Sequence, residues 1–482
     1  MVNIISGDSH NLKDVQNFLN LIDKLEENTI PEARSLFKSN TETYITRAPG
    51  RLDVMGGIAE YSGSLVLQLP LREATVAALQ LSPDKNIRIV SLSTEDPQRS
   101  AYFEMELDNF IHNNDAIDYK SAQNFFQEDS ATQWAAYVAG AFLVLRKMKG
   151  IQFSQGVNIL IHSDVPEGKG VSSSAAIEVA TMQAITKAYD INISSRELAI
   201  LCQMVENLVV GAPCGVMDQM TASCGKGNQL LALLCQPVEL KSPVKIPPEI
   251  SFWGIDSGIS HSVSGSDYTS VRIGTFMGYK IISELAKQNK IPNNIKKTVK
   301  NEYLANITPS IFEQYFAEKL PDEMKGSAFI EKYQNTADNV TVINPDFVYK
   351  IDKPTAHPIY EHFRVQLFAE LLKKFLTELT LIQLGEFMYQ SHASYSACGL
   401  GSDGTDRLVE LTREVDHKKG LFGAKITGGG SGGTVVILGT KDAESSVKTI
   451  VDKYTSETGY QPYVFSGSSM GAADFDHIII KI

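Results

Sequence analysis

The sequence predicts an α+β protein built from two large domains. Its 482 residues suffice for two at roughly 100–200 residues each. Strand-like and helix-like segments are interspersed without a regular βα repeat. A proline-rich polar stretch, "PVELKSPVKIPPEIS" (237–251), stands at mid-chain as the crossing between halves. The division predicted is a helical N-terminal extension over 1–40, a first domain over 41–240 and a second over 241–482.

Each element follows from its local pattern. Residues 10–40 carry "VQNFLNLIDKL", whose apolar positions recur three and four apart, so a helix packed on the main body is expected. From "TYITRAPGRLDVM" onward, strand signals such as "ATVAALQL" and "IRIVSL" alternate with glycine-bearing turns. Helices are expected over 134–147 and 175–189, and a third, "SSRELAILCQMVENLVV", begins at a serine cap and ends at Gly211. After the crossing come a strand "FWGIDSG", helical segments through 270–380, and "GAKITGGGSGGTVVIL", which reads as strand, glycine turn, strand.

Composition narrows the class of function. Hydrophobic side chains make up 43% and charged ones 21%, as in an ordinary globular chain, and the net charge of −12 disfavours nucleic-acid or anionic-membrane partners. A phosphate ligand would have to be held locally, by backbone N–H groups, a metal and a few cations. The five cysteines have no CxxC spacing, which suggests neither a zinc site nor a disulfide framework and fits reduced thiols in a cytoplasmic protein. "AAYVAGAFLVL" (135–145) is too short for a membrane span and reads as core helix, and the N-terminus lacks the pattern of a signal peptide. Trp134 and Trp253 read as core residues.

Four segments carry chemistry. In "DVPEGKGVSSSAAIEVATMQAI" (164–185), Gly168 and Gly170 permit close backbone approach and three serines open a helix, which makes an anion site; a plain capped helix is the other reading. Lys169 adds a cation. In "VENLVVGAPCGVMDQMTASCG" (205–225), Asp218 lies among apolar neighbours as either a buried hydrogen-bonding group or a catalytic one. Glu206 reads as a solvated helix residue or as a magnesium ligand. Five glycines in the six positions 428–433 suggest a chain lying flat against something, with a flexible hairpin as the alternative. Lastly, Arg51, Asp53, Glu60 and Tyr61 suit a polyhydroxylated ligand, or else form a charged strand–turn–strand edge.

In this order, "APGRLDVMGG", "PEGKGVSSSAA" and "KITGGGSGG" resemble the motifs of the GHMP kinase superfamily. "CGVMDQ" and "SDYTSVR" (266–272) are similar to segments of its galactokinase branch. The resemblance spans about residue 44 to the C-terminus. It implies a two-domain kinase fold with ATP, Mg²⁺ and a sugar meeting in the cleft between domains. Carried over by position, Asp218 faces the anomeric hydroxyl with Arg51 beside it, and Asp53, Gly57, Ile58, Glu60, Gly215 and Tyr268 line the sugar. Glu167, Gly168, Lys169, Gly170, Val171, Ser172, Ser173, Ser174 and Ala175 form the ATP loop, and Ser173 and Glu206 are the metal ligands.

One departure bears on the substrate. Galactokinases read Gly-Arg-Val-Asn-Leu-Ile-Gly-Glu-His-Thr-Asp-Tyr where this chain reads "GRLDVMGGIAEY". Gly57 and Ile58 thus replace the Glu-His pair that lies around the 6-hydroxyl of galactose. L-Arabinopyranose has the ring stereochemistry of galactose without the hydroxymethyl group. The expectation is an ATP- and Mg²⁺-dependent monomeric kinase forming β-L-arabinose 1-phosphate. The alternatives are a galactokinase or dual galactose/arabinose kinase, and a non-catalytic sugar sensor on the same fold.

Overall fold

The computed structural model describes residues 3–93, 96, 98–113, 115–260, 266–287, 291–299, 303–415 and 417–482. The larger sheet runs in the order Asn3–Ser6, Ile478–Lys481, Glu42–Met55, Leu65–Ser82, Gly156–Ser163, Asn86–Ser91, Tyr102–Glu106. In that path only the pairing of Asn86–Ser91 with Gly156–Ser163 is parallel, so the sheet is mainly antiparallel and the α+β class expected from the sequence is present. The strand Gln229–Leu234 joins the far end of Leu65–Ser82. The smaller sheet has the order Leu421–Ile426, Thr434–Thr440, Ile250–Asp256, Val464–Ser466.

Helices Ala136–Lys149, Ser173–Ala188 and Ser195–Met204 cover one face of the large sheet. The apolar run read as core helix is buried throughout from Val138 to Leu145. On the other face the N-terminal helix Lys13–Asp23 places Val15, Phe18 and Ile22 against Ile45, Val76 and Ile478. The strand ahead of that helix and the last strand of the chain complete the same sheet, so the final residues return to the first half.

The proline-rich crossing stays attached to the first half through Glu239–Leu240 and Val244–Lys245, which pair with Gln229–Leu234. Long helices Ser266–Ala286, Asp352–Leu372 and Glu378–Cys398 then build the second half, with shorter helices between them. No helix among the described residues is long and apolar enough to cross a membrane. All five cysteines are free thiols.

Candidate active site

A cavity of about 280 Å³ opens between the two halves, lined from one side by Arg51, Ile58, Glu60, Gly168, Gly170 and Ser172–Ser174. Glu206, Met217 and Asp218 line it from the helices below, Cys214 from the turn between them, and Tyr268, Gly428 and Gly429 from the second half.

Arg51 reaches the cavity because its strand is irregular. The register with Leu65–Ser82 slips between Pro49 and Arg51, and such a bulge re-aims the side chain that follows. Gly50 passes so close to the glycine- and serine-rich loop 168–174 that a Cβ there would stand 2.7 Å from the Val171 carbonyl. Arg51 Nε and Nη2 donate to the two carboxylate oxygens of Asp218 at 2.8 and 3.0 Å, and Nη1 donates to the Gly170 carbonyl at 2.7 Å. This is the bidentate geometry that makes Arg–carboxylate pairs directional as well as strong. Asp218 itself sits in the first turn of the helix Met217–Cys224.

The serine-led helix Ser173–Ala188 presents its N-terminus to the cavity. Ser172 holds a left-handed backbone (φ +64°), and its buried hydroxyl has no hydrogen-bond partner. Unpaired backbone donors, a positive dipole end and an unpartnered hydroxyl converge there, which is the chemistry of an anion site. The glycine turn 428–433 does lie flat, and it lies on this loop. A Cβ at Gly433 would stand 2.8 Å from the Lys169 carbonyl, and one at Gly428 would stand 2.9 Å from the Gly170 carbonyl and 3.2 Å from Arg51 Nη2.

Two carboxylates feel the charge of Asp218 across the cavity floor. Burial, then the charge of Asp218, pushes Glu60 up to about 8 and Glu206 up to about 7. Glu60 accepts from Met217 N at 3.0 Å and lies against Gly215, where a Cβ would stand 1.9 Å from its carboxyl carbon. Glu206 sits on a π-helical turn, Val205–Val210. It accepts from the Ser174 hydroxyl, from Gln219 Nε2 at 2.6 Å and from the Cys214 thiol at 3.4 Å. Behind it Glu178, held on the same Gln219 amide at 3.0 Å, is pushed well above the usual carboxylate range by burial and by Glu206.

Several residues expected at the ligands stand elsewhere. Asp53 is fully buried away from the cavity: it takes Lys425 Nζ at 2.8 Å, Gln68 Nε2 at 2.6 Å and Gly57 N at 3.0 Å, so its carboxylate is saturated by the fold. Lys169 turns to the second half, pairing with Asp256 at 2.8 Å beside Tyr460, because that buried carboxylate needs a cation. Val171 contributes its carbonyl to Arg51 N at 3.0 Å, and Ala175 is wholly buried in its helix. Gly57 and Gly215 shape the walls by what they leave out. Ser173 lines the cavity, but the hydroxyl on Glu206 belongs to Ser174. Glu167 does stand at the mouth, bridged to Arg99 at 2.6 Å.

Arg99, Trp134, Tyr137 and Met217 line the cavity without having been singled out for it. Trp134 is core, as its sequence context suggests, yet one side meets the cavity and carries Arg99 at 5.0 Å from the ring centre. Lys425 left a signal: a lysine inside the buried strand "LFGAKI" has to find a buried anion.

Residues 136–226 match the model of the GHMP kinases N terminal domain, and residues 370–456 that of the GHMP kinases C terminal domain. An L-arabinokinase from Arabidopsis thaliana is 45% identical over 99% of this chain, which spans only 52% of that protein. A galactokinase from Chloroflexus aggregans is 27% identical over 91% of this chain and 95% of its own length. The solved galactokinase of Lactococcus lactis, complexed with galactose, superposes with a TM-score of 0.71 at 19% identity, covering 94% of this chain and 99% of that one. The mevalonate kinase of L. major, in complex with R-mevalonate, gives 0.52 at 15% identity, covering 89% and 97%. The first matched segment holds the serine-led helix and Asp218, the second holds the glycine turn laid against them, and the fold around both is that of these kinases. The chain carries the N-terminal and C-terminal domains of the GHMP kinases, on a fold shared with the solved galactokinase.

Proposed function

We propose that this chain is an ATP:sugar 1-kinase that acts on L-arabinose and forms β-L-arabinose 1-phosphate. The observation that carries the reading is the Arg51–Asp218 pair, fixed within the cavity between the serine-led helix N-terminus and the wall made by Ile58, Glu60 and Tyr268. Phosphoryl transfer asks for positioning and charge stabilisation more than for covalent help. The sugar's anomeric hydroxyl meets the Asp218 carboxylate, which orients it and receives its proton. Arg51 fixes that carboxylate and offsets the charge of the transferring group. The terminal phosphate of ATP lies at Ser172–Ser174, at a helix N-terminus where the Ser172 hydroxyl is unpartnered.

The residues fit a divalent cation. Glu206 is buried, raised to about 7, and adjoins the serine hydroxyls, so a hard cation there would restore its charged form. Glu206 with Ser173 or Ser174 would hold Mg²⁺, which when bound neutralises phosphate charge. Glu60, raised to about 8, is neutral at pH 7 and donates a hydrogen bond to a sugar hydroxyl.

L-Arabinose rather than galactose is supported by the apolar Ile58 where a hydroxymethyl group would need polar partners, and by the similarity to an L-arabinokinase. A galactose or dual activity is the second reading, supported by the galactokinases among the relatives. ATP consumption measured with and without L-arabinose tests the proposal. Asp218→Ala is expected to lower the sugar-dependent rate by about 10³-fold; a full rate in that variant would overturn the assignment of Asp218.

A further inference from the structure

The interactions that seat the sugar loop end on one side chain with no part in the chemistry above. Tyr395, on the helix Glu378–Cys398, is fully buried and lies behind the cavity wall rather than in it. Its hydroxyl accepts from Ile58 N at 2.8 Å and donates to the Gly428 carbonyl at 3.0 Å. It therefore ties the sugar loop to the glycine turn that covers the phosphate loop. Lys425 stands over its ring at 5.3 Å, and His357 meets the ring edge-on at 5.1 Å. Lys425 is the same cation that holds Asp53, and Asp53 holds Gly57 N. The circuit is closed, and each member fixes the next.

Gly57 is the point where this circuit touches the loop. Its φ is +44°, and a Cβ there would stand 1.6 Å from the Tyr395 oxygen and 2.8 Å from Asp53 Oδ2. Position 57 is closed to every side chain while the phenol stays in place. Ile58 packs in one apolar cluster with Tyr395, Tyr268 and Val271.

Resting on the L-arabinose reading, we propose that Tyr395 is the positioning residue that sets sugar discrimination: its phenol excludes a side chain at 57 and holds Ile58 as the wall facing a pentopyranose. Selectivity is then not a property of positions 57 and 58 alone. The exchange that sequence comparison suggests, Gly57→Glu with Ile58→His, runs into Tyr395.

The test is kcat/KM for L-arabinose and D-galactose, measured on the full chain for wild type, Tyr395→Phe, Tyr395→Leu, and the 57/58 exchange with and without Tyr395→Leu. In Tyr395→Leu the arabinose-to-galactose ratio is expected to fall by about tenfold or more, mainly through a higher KM for L-arabinose. Tyr395→Phe, which keeps the ring, is expected to lower the ratio by about threefold or more. The 57/58 exchange is expected to favour galactose only when Tyr395 is also replaced. Equal losses on both sugars, with the ratio within about twofold of wild type, would show a merely structural role and overturn the proposal. If Tyr395→Leu does not fold, Tyr395→Phe decides by the same ratio. The wild-type values test the underlying reading separately: a wild type favouring galactose overturns the L-arabinose assignment, whereas a wild type favouring L-arabinose with unmoved variants overturns only the role of Tyr395.

Discussion

A carboxylate is catalytic or structural according to what surrounds it, and the motif containing it does not decide. Asp53, near the end of the strand Glu42–Met55, and Glu60, in the turn that follows, lie seven positions apart, yet Asp53 is saturated by Lys425, Gln68 and Gly57 while Glu60 lines the cavity. Position in the motif marked both as sugar contacts, because the partner that captures Asp53 comes from a strand more than 370 residues away. For Arg51, Asp218 and the three serines the local pattern left a structural reading open, and only the resemblance of their motifs to those of the GHMP kinases pointed to one site; all five line the same cavity. Glu60 makes a pH prediction. Its neutral form is favoured below about 8, so kcat/KM for the sugar is expected to fall as pH rises through about 8. Glu60→Gln, which is neutral at every pH, is expected to remove that limb; a limb that persists in this variant would assign it to another group.

Elements place these residues by close approach. The glycine turn 428–433, the bulge at Gly50 and the π-helical turn under Glu206 each bring backbone or carboxylate nearer than a regular element would. The density of glycine announced the first of these in the sequence. The π-turn left no such mark, since "VENLVV" simply continues the helical pattern before it. Gly428→Ala tests the packing: with φ +71° and a Cβ at 2.9 Å from the Gly170 carbonyl, it should push the loop off Arg51. A drop in kcat of about tenfold or more is expected, and an unchanged kcat would show that the turn yields freely. The strand Leu421–Ile426 carries a second prediction through Lys425. Lys425→Met leaves Asp53 buried without its cation, so denaturant unfolding should show a loss of about 3–5 kcal/mol. Adding Asp53→Asn should recover part of it; no recovery would mean that the pair is not the source of the loss.

The whole molecule binds protons as it folds. In the ligand-free protein Glu60 and Glu206 are raised to about 8 and about 7, and Glu178 is raised as well. Carboxylates of this kind stabilise the fold below their unfolded value near 4.5 and lose that contribution as pH rises through the folded values. His357 and His362, lowered to about 4 by burial, have completed their opposite contribution by about pH 6.5. Thermal stability is therefore expected to be lower at pH 8.5 than at pH 7, and saturating Mg²⁺ with a nucleotide should narrow the gap by holding Glu206 charged. Stability that rises with pH over that range would contradict the buried floor. At this scale the α+β class was legible from the mixture of strand and helix patterns. The return of the last strand to the first sheet was not, because "HIIIK" shows a strand without naming its partner. The most direct test of the account is the pair of kcat/KM values for L-arabinose and D-galactose on the unmodified chain, with ³¹P NMR of the product. The account predicts a 1-phosphate and a clear preference for L-arabinose; phosphorylation elsewhere on the sugar, or a kcat/KM for galactose equal or higher, would contradict it.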